Sequence, residues 1–362
     1  MGMAGPVGEG LPTAPKADAT ETSVPTEQRQ IVLDRLPESA LEPSHFTHRH
    51  GPVPTPGPGE ALVRTVLLSV DPANRAWMNG PTYRPQLVAG DVMAAYALAE
   101  VVDPGKSALA PGSVVFCDTG WQEYAAIPAA TAMPVPIQTA LTHHLSTLGL
   151  TGMTAYFGLL EIGAPAPGET VVVSAAAGAT GNVVGQIARI KGARVVGISS
   201  SDAKRRMLED ELGFDATVSH RSPTFKEDLA AACPDGIDVY FDNVGGDILN
   251  FCMRLLNERG RVVCCGGLSS YDQPAPPVDA AMVPLKIVTH RLRMEGFIVL
   301  DYMSEWPAAG AEMAAWIDSG ELRVLEDVID GLEQAPTALI GLLAGENLGK
   351  RMVRVGPDPV PV

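Results

Sequence analysis

Residues 171–206 read VVVSAAAGATGNVVGQIARIKGARVVGISSSDAKRR. The stretch opens as an apolar strand, turns on small residues, continues with helical spacing and returns as a second apolar strand. In a dinucleotide-binding fold the first strand–helix turn must let the backbone approach a pyrophosphate. It therefore uses small residues and aims helix N–H groups at the anion. Ala176, Gly178 and Gly181 take the places of a G-x-G-x-x-G turn, with alanine at the first. Gly185 follows one helical turn later, where a missing side chain lets the helix approach the sheet. A glycine triplet alone says little. Set between a strand, a helix and a returning strand, it predicts a phosphate-binding turn rather than a tight turn without a ligand.

The end of the second strand carries the cofactor choice. An NAD enzyme commonly places Asp or Glu about 20 residues after the glycines, on the ribose 2′-hydroxyl. Here that place holds Ser199, Ser200 and Ser201, and Lys204 and Arg205 follow. An acid would repel a 2′-phosphate, whereas hydroxyls and a cation suit it. The expected cofactor is NADPH. Ser201 or Asp202 also reads as the cap of the next helix, with the cations on a solvated face, and both readings can hold together.

Outward from this unit the strand–helix alternation continues. ATVSH, FKEDLAAACP, IDVYFDNVG, DILNFCMRLLN and RVVCCGG read as strand, helix, strand, helix, strand. Gly192, Gly213 and Gly260 fall where helices should stop. Strands apolar on both faces and alternating with helices predict a doubly wound parallel sheet. Before it, residues 30–150 hold short β-like runs broken by Pro and Gly, which predict a separate β domain. The chain's last strand, KRMVRV, is expected to return to that domain. The boundaries read as a disordered leader over 1–29, a β domain from 30–150 and 321–362, and a dinucleotide domain over 151–320.

Composition narrows the partners. A net charge of −16 over 362 residues repels phosphate backbones and anionic lipid, which argues against nucleic acid and membrane surfaces. No run of about 18 apolar residues suggests a membrane span, and the N-terminal residues lack the basic start and apolar run of a signal peptide. Five irregularly spaced cysteines form no disulfide framework. A cytoplasmic protein acting on a small molecule is expected.

Several further segments carry a resemblance. GLTGMTAYFGLLEIG, the 171–199 stretch, DGIDVYFDNVGG and GENLGK resemble the medium-chain dehydrogenase/reductase superfamily. LLSVDPANRAWM and GWQEYAAI narrow it to the zinc-free prostaglandin reductase and alkenal double-bond reductase group. The resemblance covers nearly everything after residue 30. It implies a GroES-like β domain around a Rossmann domain, with the active site between them. It also implies NADPH-dependent reduction of a carbon–carbon double bond conjugated to a carbonyl. Carried over by position, Lys204 faces the 2′-phosphate, Asn243 lines the nicotinamide-ribose side and Asn347 reaches the cofactor from the tail. Tyr271 stands beside the reacting enone, as donor to the oxygen on which charge grows.

The chain departs from the group's pattern in places. Ala73 stands where the group often has tyrosine, which should reshape the substrate pocket. His220 likewise replaces a tyrosine, and either stacks on adenine, meets the 2′-phosphate when protonated, or is a surface histidine. Tyr96 lines the pocket or belongs to the core. No zinc-ligand spacing is present, so no metal is expected; His48 and His50 are read as lying in a Pro/Gly-rich loop without a third ligand. Quinone reduction is the alternative enzymatic reading, and a non-catalytic NADPH-binding protein the alternative of another class. The apolar run LRMEGFIVL, 292–300, is expected to be an edge strand that pairs in a homodimer.

Overall fold

The computed structural model describes residues 24–137, 139–272 and 283–359. The first 23 residues of the expected leader therefore lie outside the described residues. The leader's end is ordered, because β1 (Glu27–Leu33) already pairs antiparallel with β2 (Phe46–Pro52) from Glu27 onward. His48 and His50 sit within β2, in a strand and not in a loop as the sequence suggested.

A seven-stranded, mainly antiparallel sheet follows. It is built from β3 (Glu60–Ser69), β4 (Tyr96–Asp103), β5 (Val114–Asp118), β6 (Tyr124–Pro128) and β7 (Met133–Pro134), with the two C-terminal strands described below. Helix α1 (Ala73–Asn79) lies between β3 and β4. Helix α2 (Leu150–Phe157) leads out of this sheet. It continues as a π turn over Gly158–Gly163, where a Cβ on Gly158 would sit 2.6 Å from the Phe297 ring.

The six-stranded sheet starts with β8 (Thr170–Ser174), α3 (Ala179–Ile190), β9 (Arg194–Ile198), α4 (Asp202–Asp210) and β10 (Ala216–Val218). It goes on through α5 (Phe225–Ala232), β11 (Ile237–Asp242), α6 (Gly246–Leu255), β12 (Leu256–Cys264), α7 (Val283–His290) and β13 (Arg293–Gly296). All its pairings are parallel, in the order β10-β9-β8-β11-β12-β13. The order reverses between β8 and β11, the place where open α/β sheets bind ligands. Alternate residues explain why both faces are covered. Val171, Val173, Phe241 and Val263 pack on the α2–α3 side, and Val172, Val196, Tyr240 and Val262 pack on the other.

The tail runs through α8 (Trp306–Asp318), β14 (Glu326–Asp330), α9 (Ala335–Leu343) and β15 (Lys350–Arg354). As expected, β15 returns to the antiparallel sheet, beside β3. The molecule is thus a Rossmann domain joined to a β domain of mixed chain origin.

Two local expectations change. Gly192 and Gly213 take positive φ just past α3 and α4, as helix stops do, but Gly260 lies inside β12. Helix α6 ends at Leu255, and Arg259, with φ 64°, makes the irregular turn instead. The expected strand over 292–300 is only Arg293–Gly296 long, though it does form the sheet edge. Phe297 seats against Gly158 and pulls the chain off the edge, so residues 297–300 line the central cleft.

Candidate active site

One cleft of about 840 Å³ opens along the carboxyl ends of β8, β9, β10, β11 and β12, faced by α1 and β4 of the other sheet. On the Rossmann side it begins with the turn after β8. Gly178 is the N-cap of α3 and places no side chain over the first helical N–H groups. A Cβ at Gly181 would lie 2.4 Å from the Ala175 carbonyl oxygen, so only glycine fits there. Both glycines line the cleft, while Ala176 is fully buried beneath the turn and is not on its wall. Gly185 also lies off the wall. Its absent side chain admits the Phe214 ring, 2.0 Å from where a Cβ would be, which packs α3 tightly on the sheet.

Ser199, Ser200, Lys204 and His220 line the same cleft, off the ends of β9 and β10. Ser201 caps α4, accepting from the Lys204 amide. The Lys204 ammonium donates to the carbonyls of Gly345, at 2.7 Å, and of Asn347. Burial holds its pKa below the ordinary lysine value, with Arg351 adding to the effect. Burial, reinforced by Arg221, also lowers the pKa of His220, so its ring is neutral near pH 7 and fits stacking better than ion pairing. Arg205 instead turns back on the Ser199 and Ser200 carbonyls and pairs with Asp202. Arg221, which sequence reasoning passed over, lines the cleft beside His220. Its signal was its position three residues past the end of a parallel strand.

The other half of the cleft follows β11 and β12. Buried Asp242 accepts from the Tyr240 hydroxyl at 2.8 Å and from the amides of Val244 and Gly245 at 3.0 and 2.8 Å. It thereby shapes the turn that presents Asn243, whose Nδ2 donates to the Ser174 carbonyl at 2.8 Å. Asn347 reaches the cleft from the tail, its Nδ2 donating to the Gly349 carbonyl. Gly349 in turn donates to the Ala177 carbonyl, so the tail rests on the dinucleotide turn.

Tyr271 stands in the loop after β12 and lines the cleft. Burial raises its pKa, partly offset by the Gly267 amide that donates to the phenol oxygen at 3.4 Å. The phenol is therefore protonated at neutral pH. Cys265, also on the wall, has its thiol pushed up to about 12 by burial, which makes it a poor nucleophile.

The facing wall is aromatic. Ala73 opens α1, and Trp77, one turn later, meets Tyr83 and Tyr96 edge-on, with 6.2 Å between ring centroids in each pair. Tyr96 stacks on Phe116 at 5.3 Å. Arg84 covers Trp77 at 4.5 Å and pairs with Asp118. Tyr96 thus serves both cleft and core. Among the described residues no group of three or more His, Cys, Asp or Glu is placed to hold a metal, and no helix is long and apolar enough to cross a membrane.

Known proteins resemble this chain in both domains. Residues 29–135 match a family described as the N-terminal domain of oxidoreductase, and residues 179–315 match one described as zinc-binding dehydrogenase. The NADPH-dependent curcumin reductase of Escherichia coli is 39% identical, over 91% of this chain and 97% of that protein. Prostaglandin reductase 1 of Rattus norvegicus is 38% identical, over 86% of this chain and 94% of that protein. The crystal structure of CurA in complex with NADPH from Vibrio vulnificus superposes with a TM-score of 0.86 at 37% identity, covering 91% of this chain and 100% of that one. With that likeness running through both domains, the chain belongs to the zinc-free prostaglandin reductase group of the medium-chain dehydrogenase/reductase family.

Proposed function

We propose that this protein uses NADPH to reduce a carbon–carbon double bond conjugated to a carbonyl in a ring-bearing substrate, with Tyr271 polarising the carbonyl oxygen. The observation that carries the reading is the content of one cleft. Off β8, β9 and β10 it holds the uncapped start of α3, Lys204 and Arg221; off β12 it holds Tyr271, in the same cleft as the aromatic wall. The relatives named as NADPH-dependent curcumin reductase and prostaglandin reductase support the same reaction class.

The residues fit NADPH at each point. The α3 N–H groups and the bare Gly178–Gly181 turn suit a pyrophosphate. Ser199 and Ser200 with the Lys204 ammonium suit a 2′-phosphate, and the neutral His220 ring suits the adenine face. Asn243 and residues 297–300 flank the place for the nicotinamide end. Bound NADPH supplies hydride to the β-carbon of the substrate. As charge grows on the carbonyl oxygen, the protonated Tyr271 phenol donates to it and stabilises the enolate. The same phenol gives its proton to the α-carbon as the enolate collapses, and the phenolate takes a proton from solvent before the next cycle. Trp77, Tyr83 and Tyr96 receive a flat ring edge-to-face, in the space that Ala73 leaves. The open edge of β13 and the exposed Leu285 and Val288 on α7 support pairing with a second copy.

The test is NADPH consumption with a medium-chain enal, an aryl-substituted enone and a quinone, each repeated with NADH. Fastest turnover is expected on the aryl enone with NADPH. Turnover on the quinone alone would overturn the reading. The pocket has its own test. Ala73→Tyr should lower kcat/KM for the aryl enone about tenfold or more and leave the short enal nearly unchanged, because the added ring fills the slot. An unchanged ratio between the two substrates would remove Ala73 from the specificity argument.

A further inference from the structure

Arg75 is a charged side chain almost wholly inside the protein, only 2% exposed, and no step above uses it. It lies on α1, half a turn from Ala73. Its guanidinium is satisfied from three directions. Nε donates to Asp272 Oδ1 at 2.9 Å, one terminal nitrogen donates to Asn79 Oδ1, and the other donates to the Ser39 carbonyl at 3.0 Å. Asn79, at the other end of α1, passes the connection on, for its Nδ2 donates to the Tyr271 carbonyl at 2.8 Å. Two residues of the β domain thus hold the backbone of Tyr271 and the side chain of its neighbour.

The rest of that loop is held from the opposite side. The Cys265 and Gly266 amides donate to the Asp242 carbonyl, and Ser269 bonds to the Val244 carbonyl through both its amide and its hydroxyl. Residues 265–272, which carry the phenol, are therefore held by the Rossmann turn at one end and by α1 at the other. The phenol's location is set by both domains together.

We infer that Arg75, acting with Asn79 and Asp272, is a positioning residue that clamps Tyr271 against α1 across the cleft. The inference rests on the reading of Tyr271 as the carbonyl's donor. Its consequence is a coupling between recognition and chemistry. Helix α1 also supplies Ala73, Ala76 and Trp77 to the substrate wall, so the element that seats the substrate ring is the one that places the donor. The cofactor's phosphate contacts lie elsewhere, at Gly178–Gly181 and Lys204.

Asp272 is the member to alter, because its side chain is 41% exposed and Arg75 keeps its bonds to Asn79 and to the Ser39 carbonyl without it. Asp272→Ala should lower kcat on an enone about tenfold or more, as loss of donor alignment does, with KM for NADPH unchanged. Asp272→Asn keeps an acceptor for Nε and should recover most of the rate. In a Tyr271→Phe background, itself slow, Asp272→Ala should cost nothing further. An equal loss in that background, or unchanged kcat in Asp272→Ala, would overturn the clamp. Wild-type turnover in Tyr271→Phe would instead overturn the donor reading. In that event amide hydrogen exchange over residues 267–272 decides the clamp by itself. Faster exchange in Asp272→Ala would uphold it as the loop's anchor, and unchanged exchange would end it.

Discussion

Lys350→Met should destabilise the protein by about 3–5 kcal/mol, the range seen when one partner of a buried ion pair is removed. Lys350 is 2% exposed, and its ammonium donates to Asp71 Oδ1 at 2.6 Å and to the Val70 carbonyl at 2.9 Å. Ser69 donates to the second carboxylate oxygen. The pair joins the returning tail strand to the end of β3, two segments 279 residues apart in the chain. Burial lowers the lysine's pKa while Asp71 opposes the shift. The ammonium is worth its desolvation only because the carboxylate is there. Methionine fills similar volume but leaves Asp71 buried without its counterion. The double variant Lys350→Met/Asp71→Asn removes that uncompensated charge and should regain most of the loss. Urea unfolding of both variants checks this. Additive losses would mean that the two side chains act separately, and a single variant at wild-type stability would mean that the pair contributes nothing.

The difference between what sequence made legible and what it did not follows from distance along the chain. The 171–206 unit is readable because a phosphate turn imposes local demands. Gly181 must be bare since Ala175 lies six residues away and touches it, and Ser201 must cap the helix it precedes. Tyr271, Asn243 and Asn347 could be singled out only by resemblance to a family, and the fold brings all three to one cleft. Arg75 sat in a recognised segment, yet nothing local hinted at its partner Asp272, 197 positions on. The same holds for the 292–300 run. Its apolar pattern fits a long edge strand, but Phe297 is claimed by Gly158 across the core, and half the run becomes cleft wall. The aromatic wall was half legible. Tyr96 could be flagged, whereas its partners Trp77 and Tyr83 come from α1 and the loop after it.

Lys204→Ala should raise KM for NADPH about 10- to 100-fold and KM for NADH no more than about twofold, the first figure corresponding to one hydrogen bond between charged groups. Lys204 makes this a discriminating experiment because it has two tasks. Its ammonium shares the cleft with Ser199 and Ser200, where the proposed reading puts the 2′-phosphate, and it also ties the tail at the Gly345 and Asn347 carbonyls. The tail contacts the dinucleotide turn through Gly349, so a role in the tail alone would weaken both cofactors equally. Selectivity separates the two. A ratio of NADPH to NADH efficiency that collapses assigns Lys204 to the phosphate, and a ratio that stays constant while both KM values rise assigns it to the tail. The pH dependence gives a second check with a definite sign. Burial lowers the ammonium's pKa, so the free enzyme loses the proton earlier than an ordinary lysine would as pH rises. NADPH preference should therefore decline through the alkaline range, because the neutral amine no longer favours a dianion. In Lys204→Arg the guanidinium stays charged throughout, and that decline should disappear.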